Sequence, residues 1–226
     1  MNEIKVIMFD LFFTLVVPKY SYFRNENDVL SITKEEWEKY AEDEKLYLKR
    51  ALGQEKNPEK IIENILENAG LNATIEQKME ILKLRENRFR QALSEVDEKV
   101  INVLSELRKR GKKLCVISNA DVIDVMHWKE NPLSNLFHET IFSYEVGHVK
   151  PEIEIYEAAL KKLKVKAENC IFVGDGGSQE LKSAKEIGMK TILTGYLLKR
   201  SKEELQDLKA YADYYVEDFQ DIKALI

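Results

Sequence analysis

Hydrophobic positions follow two different patterns along the chain. Between about residues 20 and 94, apolar side chains recur at helical spacing inside highly charged sequence. Elsewhere they gather into short continuous runs, at residues 4–9, 114–117, 170–173 and 191–193, with shorter ones at 140–142 and 214–216. Continuous runs of this length predict strands buried on both faces, whereas the recurring pattern predicts helices that bury one stripe.

Start and stop residues sharpen the helices. Thr33 with Glu36 three positions later is a capping box, and it predicts a helix that Gly53 closes. Asn57-Pro58 opens a second helix that Gly70 ends, and Thr74 with Gln77 opens a third carrying Ile81, Leu84, Arg85, Arg88 and Phe89. After Asp97 the pattern alternates. Helices are expected up to Gly111, after Asp121, from Pro151 through Leu163, from Ser178 to Ile187, and after Ser201, with a strand between each pair. This order predicts an α/β fold, a Rossmann-like parallel sheet flanked by helices. Residues 1–19 and 95–226 form its core, and residues 20–94 are an inserted α-helical domain.

Composition narrows the partners. Of 226 residues, 44% are apolar and 33% charged, and the net charge is −5. Mixed charge without a basic surface argues against nucleic acid or an anionic membrane as partner. No apolar run reaches the roughly 20 residues a membrane-spanning helix needs. Asp10 interrupts the apolar run at residues 6–17, and no small-residue cleavage site follows, so the run reads as a strand with chemistry at its end. Cys115 and Cys170 sit inside apolar runs and read as small buried hydrophobes, which suits a reducing cytoplasm. The expectation is a cytoplasmic protein, a monomer or homodimer, acting on a small molecule.

In open parallel sheets, ligands bind beyond the carboxyl ends of the strands. Four such ends carry polar residues: Asp10, Ser118-Asn119, the loop at Lys150, and Gly174-Asp175. Taken singly, each has a structural explanation as a turn, a cap or a solvated side chain. Together and in order they form a pattern. Residues 9–15, 116–119, 149–156 and 173–180 resemble the four motifs of the haloacid dehalogenase-like superfamily. The insert resembles the helical cap of the subfamily that includes phosphoglycolate phosphatase-like and 2-haloacid dehalogenase-like enzymes.

That resemblance implies a magnesium-dependent phosphatase acting on a small phosphorylated metabolite through an aspartyl-phosphate intermediate. It makes Asp10 the covalent nucleophile, a role suited to a carboxylate because attack splits one displacement into two steps. Ser118 and Lys150 would join it in catalysis. Phe12, Thr14, Asn119, Ser118 and Lys150 would contact substrate. Mg2+ would be held by Asp10, Asp175 and the backbone carbonyl of Phe12, as hard oxygen ligands suit that ion. Glu180 would support the metal waters or Lys150.

The chain departs from the phosphatase pattern at one point. A second aspartate, the proton donor to the leaving group, normally stands two residues after the nucleophile. Here that residue is Phe12, which cannot transfer a proton, and Phe13 replaces the usual glycine. An aromatic there, together with Lys150 and Tyr156, resembles the 2-haloacid dehalogenases, but Asp175 is retained where those enzymes carry a small neutral residue. Two alternatives therefore stand beside the phosphatase: a 2-haloacid dehalogenase-type hydrolase, and a catalytically weak phospho-ligand-binding protein. The histidines His127, His138 and His148 lack ligand spacing and read as structural or surface residues. Trp37 and Phe89 read as core of the insert. Tyr20, Tyr22, Lys49, Arg85 and Arg88 are the insert residues whose chemistry could face a substrate.

Overall fold

The computed structural model describes residues 3–226. Strand β1 (Val6–Phe9) is followed by five helices: α1 (Glu26–Val29), α2 (Lys34–Ala41), α3 (Glu44–Ala51), α4 (Pro58–Ala69) and α5 (Ile75–Ser94). Strands and helices then follow as α6 (Glu98–Lys109), β2 (Lys113–Ser118), α7 (Val122–Val125), β3 (Glu139–Phe142), two successive helices α8 (Ser143–Val146) and α9 (Ile153–Leu163), and β4 (Cys170–Gly174). The chain ends with α10 (Glu180–Glu186), β5 (Lys190–Thr194), α11 (Lys202–Lys209), β6 (Tyr214–Val216) and α12 (Ile222–Leu225).

The six strands make one parallel sheet in the order β3-β2-β1-β4-β5-β6. The chain fills one side of β1 with β2 and β3 and the other side with β4, β5 and β6, so the order reverses at β1. Such a reversal leaves a crevice at the carboxyl ends of the strands on either side of it. Asp10, the residue after β1, is therefore central, and its backbone N–H donates to Val173 of β4 over 2.9 Å.

Both faces of the sheet are covered. Phe9, Val116 and Ile171 point into one core with α6 and the C-terminal helix; Met8, Ile117 and Phe172 point into the other with α9 and α10. Cys115 and Cys170 are buried free thiols within these strands. The helical insert has a core of its own, built on the fully buried Trp37 with Ile61, Ile62, Ile65 and Ile81, and Ile123 of α7 joins it. Among the described residues no helix is long and apolar enough to cross a membrane.

Local differences from the sequence reading have local causes. The helix expected from Thr33 to Gly53 is two helices, because the Asp43 side chain accepts the N–H of Leu46 and caps a new start. Pro151 does not open α9; the Lys150-Pro151 peptide is cis and the helix begins at Ile153. The helix expected from Ser178 begins at Glu180, since Ser178 and Gln179 both have φ of 50°, outside the right-handed helical region. The segment after Asp121 forms a single turn rather than a full helix.

Candidate active site

The loop after β1 folds back tightly. The N–H groups of Leu15 and Val16 both donate to the carbonyl of Leu11, and Phe13 donates to Val16 over 2.7 Å. Phe13 holds φ at 64°, a conformation that favours glycine and that a side chain of this size rarely adopts. The fold returns Thr14 to the nucleophile candidate: its hydroxyl donates to Asp10 Oδ2 over 3.0 Å.

Lys150 is the hub. Its ammonium donates to Asp10 Oδ1 and, over 2.6 Å, to Glu180 Oε2. All three side chains are almost wholly buried. The Asn119 side chain holds the Lys150 backbone at both ends: its amide donates to the Lys150 carbonyl over 3.0 Å, and its oxygen accepts the Lys150 N–H over 2.7 Å. Glu180 is held in turn. Its Oε1 accepts the N–H of Gly176, and its carbonyl accepts the Tyr156 hydroxyl. A Cβ on Gly174 would lie 2.0 Å from Glu180 Oε1, so glycine is required for this close approach.

Asp175 follows β4 on the neighbouring strand end. Its Oδ1 accepts the N–H of Gly177 over 3.3 Å, and Arg200 donates to its Oδ2 and its carbonyl. Carboxylate oxygens of Asp10, Asp175 and Glu180 lie within 4.8 Å of one another. Electrostatics reflect the crowding. Burial and the charge of Asp175 raise the Asp10 carboxyl against the pull of Lys150. Glu180 is pushed up to about 8 by burial, opposed by Lys150 and reinforced by Asp10 and Asp175. Burial works against the Lys150 ammonium too, but Asp10 and Glu180 outweigh it and hold it protonated. Three buried carboxylates drawing on one ammonium and one guanidinium form a donor set with negative charge to spare, which fits a hard divalent cation.

Of the residues singled out in the sequence, Asp10, Thr14, Lys150, Asp175 and Glu180 come together. Phe12 and Asn119 line the same cavity, which has a volume of about 1750 Å³. Ser118 lies at the end of β2, beside β1, and its hydroxyl donates to the Asn119 carbonyl over 3.3 Å; it is fully buried and does not line the cavity. From the insert, Tyr20, Tyr22, Arg85 and Arg88 line the cavity, while Lys49 is exposed away from it. Trp37 and Phe89 are both buried as expected, and Phe89 also borders the cavity, where it packs against Phe12. No histidine lines it; His127 and His148 pair with Glu86 and Glu152, and His138 accepts the N–H of Leu114.

Two features escaped the sequence reading. Arg200 stands in a loop with no motif around it, so nothing in the chain ties it to Asp175. The second is a buried ionic cluster between insert and core. Arg50 and Arg85 meet Asp121 and Asp124, and Glu42 faces both arginines from the cavity side. Asp121 and Asp124 form a capping box on α7, a pattern that signals only a helix start.

A family model for haloacid dehalogenase-like hydrolases matches residues 4–188. The chain belongs to the haloacid dehalogenase-like hydrolase family. Among curated relatives of this hydrolase is the glyceraldehyde 3-phosphate phosphatase of Methanocaldococcus jannaschii, 32% identical over 129 residues, which cover 56% of the chain and 54% of that protein. Bifunctional epoxide hydrolase 2 of Rattus norvegicus is 34% identical over 112 residues, covering 46% of the chain and 20% of that protein. The match thus spans about half the length of the archaeal relative and less of the rat one. Among solved structures, a HAD family enzyme of Bacteroides thetaiotaomicron in complex with magnesium and inorganic phosphate aligns with a TM-score of 0.67 at 20% identity, over 89% of this chain and 98% of that one. A dehalogenase aligns with a TM-score of 0.68 at 15% identity, over 100% and 98%. These likenesses establish the fold.

Proposed function

We propose that this hydrolase is a magnesium-dependent phosphatase of a small phosphorylated substrate, working through phosphorylation of Asp10. The observation that carries this reading is the buried group of Asp10, Lys150, Glu180 and Asp175 at the crevice, with more carboxylate than its two cations balance. The phosphatase names of several relatives agree with it.

In this reading Asp10 Oδ2 or Oδ1 attacks phosphorus, and Thr14 and Lys150 hold the carboxylate in position. Lys150 also lets two anions, the Asp10 carboxylate and the phosphoryl group, approach each other. Asp10, Asp175 and the Phe12 carbonyl would hold the ion, which supplies charge neutralisation to the transferring group when bound. Glu180 and Asn119 position Lys150, the first through its ammonium and the second through its backbone. Ser118 and neighbouring backbone N–H groups are assigned to the phosphoryl oxygens, which requires the Ser118 hydroxyl to rotate from Asn119. We assign residues 20–94 as the cap over a core of residues 1–19 and 95–226, a cytoplasmic protein whose partner is its substrate.

Phe12 favours a second reading, 2-haloacid dehalogenation, because halide leaves without a proton. Asp175 opposes it, since Lys150 and Arg200 supply only two cations to three neighbouring buried carboxylates, an excess that is unfavourable without a further positive charge. A panel of phosphorylated metabolites with and without magnesium, run beside 2-chloropropionate, separates them. Magnesium-dependent phosphate release supports the phosphatase. Halide release that persists in excess chelator overturns it.

A further inference from the structure

The position that would carry a proton to the leaving group is an aromatic wall. Phe12 lines the cavity two residues after Asp10, and its ring meets Phe89 of α5 at 75° with centroids 5.4 Å apart. The guanidinium groups of Arg85 and Arg88 each lie 5.1 Å from the Phe89 ring centroid, which fixes that ring from the insert side. Phe12 is thus packed in place between the Phe89 ring and the core.

The other carboxylates along the cavity, apart from the Asp10, Asp175 and Glu180 group, have partners. Glu42 is held by Arg50 over 3.0 Å, and both Asp124 oxygens accept, from Arg85 and from the N–H of Asp121. Glu38 faces Lys34 at 3.7 Å, Glu95 accepts from the Gln91 amide, and Asp97 accepts the Tyr196 hydroxyl. A carboxyl group held by a neighbouring donor or cation is poorly oriented to deliver a proton to a departing alkoxide.

Resting on the phosphatase reading, we propose that the substrate is a phosphate monoester of an acidic hydroxyl, specifically an aryl phosphate whose ring packs against Phe12 and Phe89. Asp10 oxygen bonds to phosphorus, the bond from phosphorus to the aryl oxygen breaks, and its electron pair leaves on the phenolate. The phenolate takes its proton from solvent. In the second step water adds to phosphorus, the bond to Asp10 breaks, and dihydrogen phosphate leaves with both water protons while the carboxylate is regenerated. A residue that protonates the leaving group normally also deprotonates this water, by microscopic reversibility. Phe12 does neither, so the second step is the slower one, and phosphorylated Asp10 accumulates during turnover of an aryl phosphate.

The test is a series of matched aryl and alkyl phosphates with magnesium, comparing wild type with Phe12→Asp and Phe12→Asp/Phe13→Gly. The double variant gives the left-handed position back to glycine, so the new carboxylate is not crowded by Phe13. In wild type, kcat/KM should rise steeply with leaving-group acidity, and an aryl phosphate should release phenol in a burst approaching one equivalent of enzyme. Asp at position 12 should raise kcat/KM for alkyl phosphates by about 10²–10⁴-fold, the usual worth of proton transfer, and abolish the burst. Wild-type measurements decide the matter even if the variants misfold. Equal kcat/KM for matched aryl and alkyl substrates overturns the proposal while leaving the phosphatase intact, and points to Tyr20 or Tyr47, whose side chains line the cavity, as proton donor. Failure to hydrolyse any phosphate monoester overturns the phosphatase reading itself.

Discussion

Arg85 of α5 donates from Nη2 to Asp124 Oδ1 of α7 over 2.9 Å, and both side chains are buried. This bond ties the longest helix of the insert to the turn that follows Ser118 and Asn119, so the insert and the candidate site are joined through one electrostatic cluster. Removing one partner of a buried pair leaves an uncompensated charge. Arg85→Met should therefore destabilise the fold by about 3–5 kcal/mol. The Asp124→Asn/Arg85→Met double variant should recover part of that loss. Chemical denaturation of the three proteins at pH 8 measures both; equal stability of Arg85→Met and wild type would remove the cluster from the account.

The same cluster predicts a pH dependence. Burial, with the charge of Asp121 beside it, pushes Asp124 up to about 7 against the attraction of Arg85 and Arg50. An unfolded aspartate titrates near 3.9. An acid whose folded pKa is raised contributes stability fully below its unfolded pKa and loses it as pH rises through the folded value. Wild type should thus lose stability relative to Asp124→Asn between about pH 4 and pH 8. Melting temperatures of both proteins across that range test the sign, and a difference that stays flat, or runs the other way, contradicts the burial argument.

Gly174 offers a structural test of the site that removes no charged group. Its Cβ in Gly174→Ala would overlap Glu180 Oε1 and Cδ and press on the Phe172 ring. Overpacking of this kind typically costs about 1–3 kcal/mol. Glu180 should be displaced from Lys150, lowering activity at least tenfold. Wild-type turnover in a folded Gly174→Ala protein would show that Glu180 does not position Lys150.

Much of this was readable in the chain because strand-end chemistry is local. A strand carries its next residue to the crevice, so Asp10, Asn119 and Asp175 are placed by apolar runs that can be counted. Helix caps are equally local, and Thr33, Asn57 and Thr74 open helices where expected. The failures are of two kinds. One is short-range backbone geometry: nothing in Ser178-Gln179 announces two left-handed residues, so α10 starts two residues late. The other is long-range pairing. Arg200 meets Asp175, and Arg85 meets Asp124, across separations of 25 and 39 residues that no periodicity encodes.

Asp175→Ala should weaken magnesium binding and abolish activity together. Asp175 supplies one of three neighbouring carboxylates in the only buried group of this kind among the described residues. Titration calorimetry with magnesium alone measures affinity independently of turnover. Unchanged affinity in the variant would move the metal away from Asp175.

The central claim is that Asp10 itself receives the phosphoryl group. Wild-type protein should be mixed with magnesium and an aryl phosphate, quenched in acid during turnover, digested and mapped by mass spectrometry. The account predicts one added phosphoryl group on the peptide containing Asp10, absent from Asp10→Asn, which should fold but release no phosphate. Phosphate release by wild type with the label on another residue, or undiminished release by Asp10→Asn, would contradict it.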